Sequence, residues 1–553
     1  MNQVTVTLPD GSKKTVAYGT RVSEFLPPSE ADDLQGPVVA ALVNNDLVTP
    51  SFKIEIDATV EPVTLYSRYG NRIYRRSLSF LLGLASKKVF PDRHLVIGHS
   101  LGDGYYYYYN GMAGVGEGEI ARLEEEMHAI VKAALPIKRS VISYEQALER
   151  VRKENLPATE LLLRYRNDPK IPLYMCDQFF DISYEPLLDN TSLLSLFELR
   201  NYPPGFLLRY PKSKEPTKLA EFIDHPLLFS IFKEYKAWGK ILDVNCTGRL
   251  NQLIEERNIA PFIQVAEALH DKKISQIADQ IAQRRDTVRV VLIAGPSSSG
   301  KTTFTKKLAI QLQVLGFNPV VIGLDDYFRP RKNVPLDADG NLDLESLRAL
   351  NIEQLNSHLL ALFAGREIEV PIFDFKAGKP KEQGKKLRFG KRNILLMEGI
   401  HGLNPDLTPE IPREQKHLVY ISALTQLNLD DHNRIATTDN RLCRRMVRDH
   451  QFRGNSALST LEMWPSVRRG EDNNIFPYQH LADSAFNSAL DYELAVLKPY
   501  VEPLLNTVKP FHRQYSEARR LLAFLTNFSS IPVQYVPQHS ILREFVGGSG
   551  FSY

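Results

Sequence analysis

The sequence predicts a multidomain chain of mixed α/β and α+β class, closing in a parallel sheet flanked by helices. Three observations carry this. At 553 residues the chain has room for two to four domains, each with its own core. The first 60 residues alternate apolar and polar at period two, as half-buried strands do. From Val288 an apolar run passes straight into a glycine-rich turn and then a helix, the opening of a strand–loop–helix unit.

Composition bounds the function without naming it. Lys and Arg number 68 against 65 acidic residues, so no global charge argues for nucleic acid or a membrane surface. Cys176, Cys246 and Cys443 are far apart, which suits a reducing compartment and gives no zinc pattern. The start, MNQVTVTLPDGSKK, has no apolar signal core, and no stretch approaches the length of a membrane span. A cytoplasmic location without membrane contact is expected.

In order along the chain, Val4, Val6 and Leu8 form a first strand, Pro9-Asp10-Gly11 a turn, and a second short strand follows. Val38–Val43 and Ile54–Ile56 are further strands. Ile120–Leu135 and Tyr144–Asn155 have helical periodicity. The run Tyr105–Tyr109 has two readings, a strand with one buried face or a stacking surface for bases. Residues 246–285 make a helical connector, with Ile274, Ile277, Ala278 and Ile281 at helical spacing. The tail SILREFVGGSGFSY alternates enough apolar residues to predict a docked strand.

Gly295-Pro-Ser-Ser-Ser-Gly-Lys-Thr-Thr303 has the spacing G-x-x-x-x-G-K-[ST] between a strand and a helix. Side chains at Gly295 and Gly300 would stop the backbone closing around phosphate oxygens. Gly295, Ser297, Ser298, Ser299, Gly300, Lys301, Thr302 and Thr303 are therefore the expected nucleotide cradle at a helix N-terminus. Lys301 would reach the β- and γ-phosphates and the Thr302 hydroxyl would ligate Mg²⁺. A nucleoside triphosphate, ATP or GTP, is the implied cofactor.

Later strands end in acids at the sheet edge where ligands gather. Pro319–Gly323 runs into Leu324-Asp325-Asp326-Tyr327-Phe328, making Asp325 the candidate base for an attacking hydroxyl, with Asp326 its local competitor. Asn393–Met397 ends in Glu398, a candidate Mg²⁺ ligand beside Thr302. In the apolar strand Val370–Phe375, Asp374 has two readings, a contact to substrate or Mg²⁺-bound water and a loop anchor. Arg441, Arg444, Arg445 and Arg448 share one helix face. Four guanidinium groups in a stripe repel unless an anion lies between them. Triphosphate would be that anion, with Arg444 and Arg448 near the transferring group and Arg441 and Arg445 on the nucleotide.

The order GPSSSGKTT, D-D-Y-F, P-I-F-D-F, L-M-E-G and R-L-x-R-R-x-x-R-D resembles the uridine kinase and phosphoribulokinase group of P-loop kinases. The resemblance implies that Asp325 is the catalytic base, Glu398 a Mg²⁺ ligand and the arginine helix an ATP lid. It places a ribose-binding acid at Asp343, across a loop of different length, and an aromatic platform at Phe373. The histidine that reads the pyrimidine is replaced by Gly378, with Lys376 and Lys379 alongside, so kinase chemistry carries over and uracil recognition does not.

The opening residues resemble a TGS domain, the β-grasp unit at the start of threonyl-tRNA synthetases. VFPDRHLVIGHSLGDGYYYYY, EEEMHAIVKAALPIKRSVISYEQAL and CDQFFDISYEPLL resemble that synthetase's editing domain. Its H-x-x-x-H falls on Arg76-Ser77-Leu78-Ser79-Phe80, so both histidines are absent and editing does not carry over. His99 then reads as a structural, hydrogen-bonded residue. The implied domains are a TGS-like β-grasp at 1–62, an editing-like α+β domain at 63–245, the connector at 246–285 and a P-loop kinase at 286–553. The expected activity is Mg²⁺- and ATP- (or GTP-) dependent phosphorylation of a small-molecule hydroxyl, a nucleoside above all. The alternatives are an RNA-binding or tRNA-linked nucleotide-binding protein whose ATPase drives a conformational change, with RNA contact through the N-terminal domains, and a regulatory sensor that uses its TGS-like modules for small-ligand or ribosome contacts.

Overall fold

The computed structural model of the protein describes residues 3–27, 36–213, 215–336, 340, 342–374 and 377–552. Period-two alternation builds the N-terminal sheet. Its order is Lys13–Ala17, Gln3–Thr7, Ala58–Thr64, Val38–Val43, Asp46–Val48, with Gln3–Thr7 and Ala58–Thr64 parallel at the centre. Val4, Val6, Val43 and Val60 point inward together. The strand expected over Ile54–Ile56 shrinks to Lys53–Ile54, paired with Thr20–Arg21, because Ile56 faces solvent.

The next unit is built on the helix Arg68–Val89, capped by the Ser67 hydroxyl, which accepts the Gly70 N–H at 3.1 Å. It packs on a four-stranded antiparallel sheet that includes Gly104–Tyr109. The tyrosine strand is buried on both faces rather than one. Tyr107 and Tyr109 enter the main core, and Tyr106 packs with Phe229 and Phe232 beneath the helix Pro226–Ile241. A smaller sheet of Lys138–Ser143, Lys170–Cys176 and Phe179–Ile182 carries the helices Tyr144–Lys153 and Pro157–Arg164.

The C-terminal sheet is wholly parallel. Its order is Asn318–Gly323, Asn393–Glu398, Val290–Ala294, Lys416–Ser422, Ser484–Asn487. Val290–Ala294 is buried throughout, as expected of a parallel strand covered on both faces. Val291 and Ile293 enter one core, and Val290, Leu292 and Ala294 enter the other. The connector is no loose tether. Ile274, Ile277, Ala278 and Ile281 share a core with Phe304, Leu308 and Leu312 of the helix that follows the glycine-rich turn.

The tail docks, but through the short helix Arg543–Val546 rather than the expected strand. Ile541, Leu542, Phe545 and Val546 join the same core. The N- and C-terminal halves interlock as well. Arg72 pairs with Glu517 at 2.8 Å. The Ile97 N–H donates to the Asp431 carbonyl at 2.9 Å, and the Asn428 amide donates to the Ile97 carbonyl at 2.6 Å. No described helix is long and apolar enough to cross a membrane.

Candidate active site

The glycine-rich turn closes as its sequence requires. A Cβ at Gly295 would run into the Ile421 carbonyl oxygen, and Gly300 sits at φ +81°, which favours glycine. Among the described residues, the N–H groups of Gly300, Lys301 and Thr302 have no protein acceptor. They open the helix Lys301–Val314 and form a positive seat for an anion. The Lys301 ammonium folds back onto the carbonyls of Gly295 and Pro296, at 2.9 and 3.2 Å.

The Thr302 hydroxyl donates to Glu398 Oε1 at 2.7 Å. These two hard oxygens lie close to the edge of an octahedron with ligands at 2.0–2.1 Å, about 2.9 Å across, so they fit a shared Mg²⁺. Burial raises the pKa of Glu398, opposed by the charge of Lys301. A cation between the two oxygens would favour the ionised form.

Asp325 and Asp326 stand on a 3₁₀ turn at the end of Asn318–Gly323 and have different environments. Asp326 Oδ1 accepts the Phe373 N–H at 3.3 Å and so anchors the neighbouring strand. Asp325 opens to solvent; its carbonyl accepts the Phe328 N–H at 3.3 Å, and its carboxylate forms no hydrogen bond or ion pair with another described residue. The protein walls around it raise its pKa, and the charges of Lys301 and Arg453 pull it back.

Phe373 is buried, with its ring 5.7 Å from that of Phe328. Asp374 makes a loop-anchoring bond, accepting the Ala377 N–H at 3.0 Å. Asp343 is half-buried and its N–H donates to the Pro335 carbonyl at 2.8 Å. Lys376 and Phe375 lie outside the described residues. Where a side chain at Gly378 would stand, the Arg331 side chain passes instead.

The arginine helix forms over Thr437–Arg453, but the anions on its face are the protein's own. Arg441 pairs with Glu471 and donates to the Ser297 carbonyl at 2.9 Å. Arg444 pairs with Glu493 at 2.5 Å and reaches the Ser298 carbonyl at 3.3 Å. Arg445 donates to Ser297 Oγ at 2.8 Å and pairs with Asp449 at 3.1 Å, and Arg448 pairs with Asp449 at 2.9 Å. All four arginines expected to face a triphosphate thus have carboxylate partners in this structure. Arg441 and Arg444 are 1% and 0% exposed and brace the turn from behind. Arg445 and Arg448 keep some exposure, and the charge of Arg448 is felt at Asp325.

Two acids at the site have no signature in the sequence. Glu345 lies against Gly470, and burial together with Glu471 pushes its pKa up to about 7 against the pull of Arg445 and Lys301. Glu544 reaches in from the tail. Its Oε2 accepts both the N–H and the hydroxyl of Thr303, at 3.1 and 2.7 Å. Ile541 packs against Gly300, and Phe545 lies 5.0 Å from the Arg444 guanidinium. The tail thus forms one wall of the cradle.

Residues 290–495 match the Phosphoribulokinase / Uridine kinase family, and the C-terminal region carries a domain of that family. The N-terminal part is similar to threonine–tRNA ligases. It is 32% identical over 212 residues to that of Desulforamulus reducens, covering 38% of this chain and 33% of the relative. To threonine–tRNA ligase 2 of Bacillus subtilis it is 32% identical over 197 residues, covering 35% and 31%. The chain spans about a third of the length of these curated relatives. A solved structure described as a possible uridine kinase from Bacillus stearothermophilus is 16% identical and covers 38% of this chain and 98% of its own, with a TM-score of 0.26.

Proposed function

We propose that the protein transfers the γ-phosphoryl group of ATP or GTP to a hydroxyl of a small molecule, a nucleoside being the acceptor that best fits the site. One observation carries this reading. The Thr302–Glu398 oxygen pair, the Lys301 ammonium and the open N–H groups of Gly300 to Thr302 converge at the sheet edge where Asp325 also stands. The N–H groups bind phosphate oxygens and Lys301 swings from the carbonyls of Gly295 and Pro296 onto them. Thr302 and Glu398 would hold Mg²⁺, whose charge would offset that of the phosphates. Asp325, with no other partner, takes the proton of the attacking hydroxyl. Arg448, close enough to act on Asp325, offsets charge on the transferring group.

The acceptor lies between Asp325, Asp343 and Phe373. Carboxylates there accept hydrogen bonds from vicinal hydroxyls, and the aromatic face suits a planar ring. With glycine at 378, discrimination between bases is weak. The domains are assigned as a TGS-like unit at 1–62, an editing-like unit at 63–245, the connector at 246–285 and the kinase at 286–553, in a cytoplasmic protein. The similarity to threonine–tRNA ligases supports a second reading in which the N-terminal half contacts RNA and the ATPase serves that contact.

The test is incubation with ATP, Mg²⁺ and a panel of nucleosides and free polyols, scored by gain of one phosphoryl mass. Phosphorylated nucleosides with modest preference among bases are expected. Selection of uridine by more than about 10³ would contradict the weak-discrimination argument, and phosphorylation of polyols alone would move the acceptor class.

A further inference from the structure

A second cavity lies far along the chain from the glycine-rich turn, where the two halves meet. It holds about 70 Å³ and is lined by Arg76, Ser79, Tyr105, Asp181, His432 and Arg434 with apolar walls from Phe80 and Phe179. Arg76 and Phe80 stand where the editing histidines would be, so the pocket is lined by other chemistry. The loop 430–434 closes it from the C-terminal half and leads directly into the arginine helix.

Its charges do not balance. Arg76 shares Glu185 with Arg72, at 3.4 and 2.8 Å, while Arg72 also serves Glu517. Arg434 makes no ion pair with another described residue. Its Nη2 lies 3.4 Å from His99 Nδ1, and its guanidinium sits 5.2 Å from the centre of the Tyr105 ring. Burial and the neighbouring Arg434 charge hold His99 neutral, so it adds no charge to the pocket. His432 lies 3.7 Å from Asp181; burial pulls its pKa down, but the Asp181 carboxylate, joined by Asp430 and Asp431, prevails and raises it to about 9, so His432 is already matched by acids. Arg76 and Arg434 thus face a cavity whose lining holds one carboxylate, Asp181, and that carboxylate is engaged by His432. A partly buried positive surplus is costly until an anion meets it.

We propose that this cavity binds a small organic carboxylate of three or four carbons, held jointly by the two halves of the chain. Its carboxylate lies between Arg434 and Arg76, and its carbon chain lies against Phe80 and Phe179. Size sets the limit. At roughly 10–15 Å³ for each water-sized position, the enclosed part takes about five to seven non-hydrogen atoms, the size of a small acid. The site is separate from the phosphoryl-transfer centre and stands whether or not that reading holds.

The experiment is isothermal titration of the full chain with L-lactate, D-glycerate and inorganic phosphate, with neutral lactamide as the isostere, at constant ionic strength. At least one carboxylate is expected to bind with a Kd below about 1 mM, at one per chain, while lactamide gives no heat. Arg434→Gln weakens binding at least tenfold. Arg76→Gln, which removes the other guanidinium at the carboxylate, serves the same purpose if the first variant does not fold. Three outcomes overturn the proposal: carboxylates no tighter than lactamide, binding unchanged in a folded variant, or binding of phosphate alone.

Discussion

Replacing Glu345 with Gln should stabilise the protein at alkaline pH and leave it unchanged in acid. Glu345 is pressed against Gly470 with Glu471 nearby, and its pKa stands at about 7 against an ordinary 4.5. A carboxyl raised in this way contributes stability that is fully present below pH 4.5 and is lost as pH rises through about 7. At 1.36 kcal/mol per pH unit the gap is worth about 3 kcal/mol. Gln keeps the size and has no charge to bury, so Glu345→Gln should match the parent near pH 4.5 and exceed it by about 3 kcal/mol at pH 8. In a unit of a few hundred residues this corresponds to about 5 °C in Tm. Thermal unfolding followed by circular dichroism from pH 4.5 to 8.5 reads the difference directly. A gap that stays constant with pH, or a variant less stable than the parent at pH 8, would refute the assignment of a strained acid at this position.

Lys301→Ala should abolish ATP turnover with the circular dichroism spectrum unchanged, since the ammonium touches only loop carbonyls and packs no core. Asp325→Asn should lower kcat by about 10²–10⁴ with ATP affinity nearly unchanged, whereas Asp326→Asn should chiefly loosen the strand at Phe373 and raise the acceptor KM. Because its environment raises the pKa of Asp325, the acid limb of the wild-type rate should fall above the ordinary carboxylate range and vanish in Asp325→Asn. Glu544→Gln removes a negative charge from the first turn of the cradle helix. Equilibrium dialysis should show ATP bound up to about fivefold more tightly, in line with the 0.3–1 kcal/mol of an anion at a helix N-terminus; weaker binding would mean that the tail carboxylate helps rather than competes.

What the sequence disclosed was what is local. Strand, turn and helix at 288–314 are contiguous, and the buried five-residue strand reads as an unbroken apolar run because helices cover both faces. Asp325 and Glu398 were legible as positions because each lies at the carboxyl end of an apolar strand run. The arginine stripe was equally plain, but its counter-anions Glu471 and Glu493 sit on other elements, so periodicity showed four like charges without showing what neutralises them. Glu544 meets Thr303 across 241 residues of chain, and no spacing rule links them. The tyrosine strand was misread as open on one face because the covering helix, Pro226–Ile241, lies more than a hundred residues away.

The central claim is phosphoryl transfer to a small hydroxyl, and its most direct test is ADP release by the full-length protein with ATP and Mg²⁺, measured alone, with a nucleoside mixture and with total tRNA. The account predicts slow release alone, stimulation by the nucleosides with an equal yield of phosphorylated acceptor, and loss of both in Asp325→Asn. Stimulation by tRNA, with no phosphorylated small molecule formed, would contradict it.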